Sequence, residues 1–134
     1  MGRYVLYADG AARGNPGPAA IGFVLYDPDE NAVAEIGGVI GETTNNVAEY
    51  RALIAGLELA LDREVGSIDV RLDSLLLVKQ VKGEYRVKAS HLKPLHREAV
   101  RLLSQFDEAS IEHVRREANT VADALANQAL DGER

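Results

Sequence analysis

The chain has no cysteine and no tryptophan in 134 residues, a single methionine and two phenylalanines. Without thiols there can be no disulfide, no thiolate zinc site and no cysteine nucleophile, a usage that fits a reducing compartment. The three histidines, His91, His96 and His113, show no close ligand spacing and read as surface or packing residues. Ser74 lacks the histidine and aspartate partners of a serine triad, so serine hydrolysis is set aside. No apolar run is long enough to span a bilayer, and no basic-then-apolar leader follows Met1. A cytoplasmic protein with no membrane partner is expected, and any metal in it would be held by oxygen.

Positive charge is also short, with 15 Lys and Arg against 21 Asp and Glu, for a formal net charge of −6. That balance counts against nonspecific nucleic-acid binding, because phosphate neutralisation by Lys and Arg supplies most of that affinity. The objection weakens if some of the acids form a metal site, since bound cations offset local charge. What is present is globular composition, 46% hydrophobic and 27% charged. The length suits a single domain over residues 1–134.

Residues 3–9 (RYVLYAD) form a nearly unbroken apolar run ending in Asp9, as expected of a strand covered on both sides. A Gly/Pro-rich stretch over 10–18 reads as a loop, and strands are expected over 20–27 and 32–40. Residues 46–62 are rich in Ala, Leu and Glu and make the clearest helix. Residues 67–73 alternate Ile68, Val70 and Leu72 against Asp69, Arg71 and Asp73, the period of a strand. A short helix over 74–81, a longer one over about 90–106 with Pro94 in its first turn, a strand over 109–114 and a helix over 120–130 complete the pattern. The order βββαβααβα predicts an α/β fold with a mixed sheet, antiparallel strands first and helical crossovers after.

Four separate carboxylates, Asp9, Glu49, Asp73 and Asp123, fall where a strand ends or a helix begins. Hard divalent cations take oxygen ligands of this kind, and a pair of them about 4 Å apart is the usual apparatus for cutting phosphodiesters. Each acid also has an ordinary reading. Asp9-Gly10 suits a turn, Asp73-Ser74 a helix cap, Asn46 to Glu49 a capping box, and Thr120 to Asp123 another. Glu49 says most. At about 100° per residue it points away from the polar stripe of Arg51, Glu58 and Asp62 and shares its side with Leu53, Gly56 and Ala60. A charged group on that side needs a partner. Spacing alone does not show that the four acids meet.

The chain resembles type 1 ribonucleases H over residues 3–130, in the compact archaeal-like or bacterial form that lacks a basic handle. The likeness is carried by Asp9-Gly10-Ala11-Ala12-Arg13-Gly14-Asn15-Pro16-Gly17-Pro18, by Thr43-Thr44-Asn45-Asn46-Val47-Ala48-Glu49-Tyr50, by Asp73-Ser74 and by Asn119-Thr120-Val121-Ala122-Asp123. It implies a ribonuclease H-like fold with a five-stranded mixed sheet, three antiparallel strands and then two parallel ones, flanked by helices. It further implies that Asp9, Glu49, Asp73 and Asp123 hold a pair of Mg²⁺ or Mn²⁺ ions and that the RNA strand of RNA/DNA hybrids is hydrolysed, leaving 5′-phosphate and 3′-hydroxyl ends. Gly10, Asn15, Thr44, Asn45, Asn46 and Ser74 match positions that meet the substrate in relatives. Short polar side chains and bare backbone suit close approach to sugar edges, where the 2′-hydroxyl distinguishes RNA from DNA.

Three departures stand out. Leu75 follows Asp73-Ser74 where relatives often carry a polar residue that touches the hybrid. Residues 82–93 are compact, which leaves substrate grip to Lys79, Lys82, Arg86, Lys88 and Lys93, although such a run also reads as a solvated face. Arg116 stands seven residues before Asp123, where many bacterial relatives have a histidine. A guanidinium stays protonated, so the expected role for Arg116 is phosphate contact or product release, with Arg115 as the fallback. The main expectation is a monomeric hybrid-specific nuclease with some activity on double-stranded RNA. The rival expectations are a module of the same fold that binds hybrid or structured RNA without cutting, and a DNA-cutting relative of the broader superfamily.

Overall fold

The computed structural model describes residues 2–132. Strands β1 (Tyr4–Ala12), β2 (Gly17–Tyr26), β3 (Ala32–Thr43), β4 (Ser67–Leu72) and β5 (Glu108–His113) form one sheet in the order β3-β2-β1-β4-β5. The pairs β1/β2 and β2/β3 are antiparallel, and β1/β4 and β4/β5 are parallel. The helices are α1 (Asn45–Asp62), α2 (Leu75–Val81), α3 (Lys93–Leu103) and α4 (Thr120–Gly132), with 3₁₀ turns at Ser90–Leu92 and Arg116–Ala118. This is the mixed α/β sheet expected from the element order. Among the described residues no helix is long and apolar enough to cross a membrane.

The two parallel pairs sit at the centre and one edge of the sheet because their crossovers run through α1 and through α2 and α3. The alternation of β4 buries Ile68, Val70 and Leu72. These pack with Leu6 and Ala8 of β1, Tyr50, Leu53 and Leu57 of α1, and Ala99 and Leu102 of α3 in the main core. A smaller cluster of Ala20, Ala126 and Leu130 lies under α4. A Cβ on Gly10 would meet the backbone of Ala48 in α1 at 2.2 Å, and one on Gly22 would meet the carbonyl oxygen of Ala122 in α4 at 2.2 Å. Gly22 pairs with Asp9, the neighbour of Gly10, so the two glycines face opposite sides of the sheet, and α1 and α4 lie on opposite faces.

Several boundaries differ from the sequence reading. β1 does not stop at Asp9, because Gly10, Ala11 and Ala12 continue the ladder opposite Ile21, Ala20 and Ala19. The residues expected to be loop are too small to block pairing, and the reversal shrinks to residues 13–16, closed by the Arg13 amide on the Pro18 carbonyl at 2.8 Å. β3 likewise runs on to Thr43. The helix expected over 90–106 splits into a 3₁₀ turn and α3, with Pro94 in the first turn of α3, where its missing N–H costs nothing.

Candidate active site

The parallel register pairs Ala8 with Leu72, so Asp9 and Asp73, one step further along, leave adjacent strands side by side. Glu49 arrives from the first turns of α1, which lies against β1 at Gly10. The Gly10 amide donates to Glu49 Oε1 at 2.9 Å. One carboxylate oxygen from each of Asp9, Glu49 and Asp73 lies within 4.8 Å of the others. Asp123, in the first turn of α4, lines the same cavity of about 440 Å³. Its own carboxylate accepts the Asn127 amide at 3.2 Å.

The ordinary readings of these acids can now be compared with their surroundings. Thr44 caps α1, its hydroxyl accepting the Val47 amide at 3.3 Å, so Asn46 and Glu49 form no capping box. Ser74 caps α2 by accepting the Leu77 amide at 3.3 Å, which leaves Asp73 out of the cap. Asp9 lies inside a strand and not in a turn. The Asp123 amide donates to the Asn119 carbonyl at 3.1 Å, so Asn119, not Thr120, occupies the cap position of α4.

The electrostatics of the cluster follow from burial and crowding. Asp9 is 7% exposed. Burial first, then its hydrogen bond with Glu49 and the negative charges of Glu49 and Asp73, push its carboxyl up to about 10. Glu49 is also pushed up by burial, partly offset by hydrogen bonds from Asp9 and the Gly10 amide and by the charge of Arg116. Such a group of oxygen donors is satisfied either by a retained proton or by a cation.

The profile of a family described as reverse transcriptase-like matches residues 7–129. Ribonuclease HI of Halobacterium salinarum is 52% identical over 130 residues, and a bifunctional protein of Mycobacterium tuberculosis is 47% identical over 130 residues. The chain spans 65% of the first protein and 36% of the second. The crystal structure of RNase H1 from Halobacterium salinarum superposes with a TM-score of 0.95 at 51% identity, covering 98% of this chain and 99% of that one. The chain belongs to the type 1 ribonuclease H family. LC11-RNase H1, solved in complex with an RNA/DNA hybrid, superposes with a TM-score of 0.90 at 43% identity, covering 98% of this chain and 99% of that one.

In this ribonuclease H domain Gly10, Asn45, Asn46, Ser74 and Arg116 line the cavity with the acids. Asn15 and Thr44 are not among the lining residues. Asn15 Oδ1 accepts the Asn45 amide at 3.1 Å, and Asn45 Oδ1 accepts the Ala12 amide at 3.0 Å. With their carbonyl oxygens engaged by backbone, both asparagines keep their NH₂ groups as donors. The Gly10 amide is taken by Glu49, and the missing Cβ is what admits the backbone of Ala48 and Glu49. Lys88 is exposed in an irregular segment and is not among the cavity residues. Lys79 pairs with Glu84 at 3.2 Å, while Lys82, Arg86 and Lys93 are exposed.

His91 and His113 are exposed, and His96 packs edge-on against Tyr50 with ring centroids 6.5 Å apart. Sequence reasoning assigned no role to Asn119 or Asn127, which hydrogen-bond to Asp73 and Asp123 respectively. For Asn127 the available signal was its place one turn after Asp123, on the same face of α4.

Proposed function

We propose that this domain is an endoribonuclease that hydrolyses the RNA strand of RNA/DNA hybrids with a pair of Mg²⁺ or Mn²⁺ ions, leaving 5′-phosphate and 3′-hydroxyl ends. The observation that carries the reading is the convergence of Asp9, Glu49 and Asp73 within 4.8 Å, with Asp123 lining the same cavity. The donor set fits hard divalent cations, being all oxygen and too crowded to stay fully ionised alone. Asp9, Glu49, Asp73 and Asp123 would hold the ions, which when bound activate the attacking water and stabilise the leaving 3′ oxygen.

The chain's own residues do the rest. Glu49 is fixed by the Gly10 amide, so its free carboxylate oxygen is presented without a search through rotamers. The Asn45 and Asn46 side chains offer amide donors of the length that reaches minor-groove acceptors and ribose hydroxyls. The Ser74 hydroxyl, which accepts from Leu77, keeps its proton for donation. Arg116 brings a permanent positive charge to the rim, where it meets a phosphate. A binding-only module would have no use for the clustered acids. The full acid set lies within one chain, in keeping with a monomer, and cysteine-free composition suits the cytoplasm.

Incubation of purified protein with labelled hybrid, double-stranded RNA and double-stranded DNA in Mg²⁺ or Mn²⁺ tests the proposal. Hybrid is expected to be cut first, with slower cutting of double-stranded RNA. Asp73→Asn should abolish cleavage and leave hybrid binding largely intact, and retained cleavage would refute the site.

A further inference from the structure

Asn119 directly precedes α4, and its carbonyl accepts the Asp123 amide. At this cap position an asparagine side chain ordinarily turns back to accept an amide of the first turn. Asn119 does not. Its Oδ1 is buried without a hydrogen-bond partner, and the residue is 1% exposed. Both hydrogens of its amide are used instead, Nδ2 donating to the Ala8 carbonyl at 3.0 Å and to Asp73 Oδ2 at 3.2 Å.

Each of the other acids has a separate anchor. Glu49 is tied to the Gly10 amide, Asp123 to Asn127, and Asp9 is buried within β1. Asp73 is the first residue beyond β4, at the point where the β1/β4 ladder stops. The Ala8 carbonyl belongs to the residue before Asp9. A single amide that grips both therefore sets the Asp73 carboxylate against the strand that carries Asp9.

We propose that Asn119 is a positioning residue that holds the Asp73 carboxylate beside Asp9, so that the acid set is arranged for a divalent cation before one arrives. The proposal rests on the metal-dependent reading above. A residue needed only for packing or capping would satisfy the Ala8 carbonyl or the helix end, and would not direct its second hydrogen to a site acid.

The test is Mn²⁺ binding measured by calorimetry without nucleic acid, alongside cleavage kinetics. Asn119→Ala should raise the Mn²⁺ Kd about tenfold and lower kcat, with the hybrid KM unchanged. In an Asp73→Asn background the same substitution should have little further effect on the Kd, because its route to the ion is gone. A folded Asn119→Ala protein with a Kd within about twofold of the parent, or an equal loss in both backgrounds, would overturn the proposal. Should the alanine variant not fold, Asn119→Ser keeps a polar group near Ala8 but is a bond too short for Asp73, and it is judged by the same Kd. If the parent bound Mn²⁺ but left hybrid uncut, the nuclease reading would fail while the Kd comparison still decided this one.

Discussion

Arg116 is the single cationic side chain lining the acidic cavity among the described residues. Its charge already lowers the proton affinity of Glu49. A fixed positive group at that rim favours a phosphate whose charge is developing, and removing one such donor typically costs about 10²-fold in turnover. Arg116→Ala should therefore reduce kcat on saturating hybrid by roughly that factor. Arg116→Lys should recover only part of it, since an ammonium lacks the planar fork. Turnover equal to the parent would remove the role. At this scale the sequence was legible wherever one angle or one neighbour decided the matter. The position of Glu49 on the apolar side of its helix marked it as needing a partner, and the Gly10 amide supplies one. Asn119 was not legible, because the pattern from Thr120 to Asp123 accounts for the start of α4 without it, and only the contact with Asp73 shows its use.

At the scale of elements, the packing of α4 on β2 depends on Gly22. A Cβ there would lie 2.2 Å from the Ala122 carbonyl oxygen and 2.7 Å from the Ala126 amide, both main-chain atoms that cannot rotate aside. Gly22→Ala should destabilise the fold by about 1–3 kcal/mol or more, read as a lower urea midpoint. Gly38→Ala is the matched control, because nothing lies within 4 Å of its Cβ position, and it should stay within about 0.5 kcal/mol. The period-two pattern of β4 and the Ala/Leu-rich run of α1 were readable because each element states its own periodicity. The extension of β1 through Ala12 was not. Whether Gly-Ala-Ala is loop or strand depends on a partner strand lying opposite, here Ala19, Ala20 and Ile21.

For the whole molecule, convergence is the property no local pattern encodes. β1, α1, β4 and α4 each deliver one acid, and only the sheet order β3-β2-β1-β4-β5 brings them together. The burial of Asp9, and then the acids beside it, link stability to pH. In the metal-free fold Asp9 keeps its proton up to about 10, whereas the unfolded chain releases it above about 3.8. The folded state thus binds more protons across that window, and stability declines as pH rises through it. In chelator, Asp9→Asn should flatten the decline and raise the melting temperature at pH 8 by about 3–5 °C. Parallel slopes for variant and parent in thermal melts from pH 5 to 9 would contradict this.

Where α1 crosses β1 and α4 crosses β2, peptide groups meet alpha carbons with no side chain between them. The spans separating Glu49 and Asp123 from the sheet are consequently set by polypeptide dimensions and not by which aliphatic groups fill the interior. Exchanges among Leu53, Leu57 and Val70 would alter how firmly the domain folds well before they altered the gauge of its chemistry. The hydrophobic interior can be rewritten without recalibrating the acids.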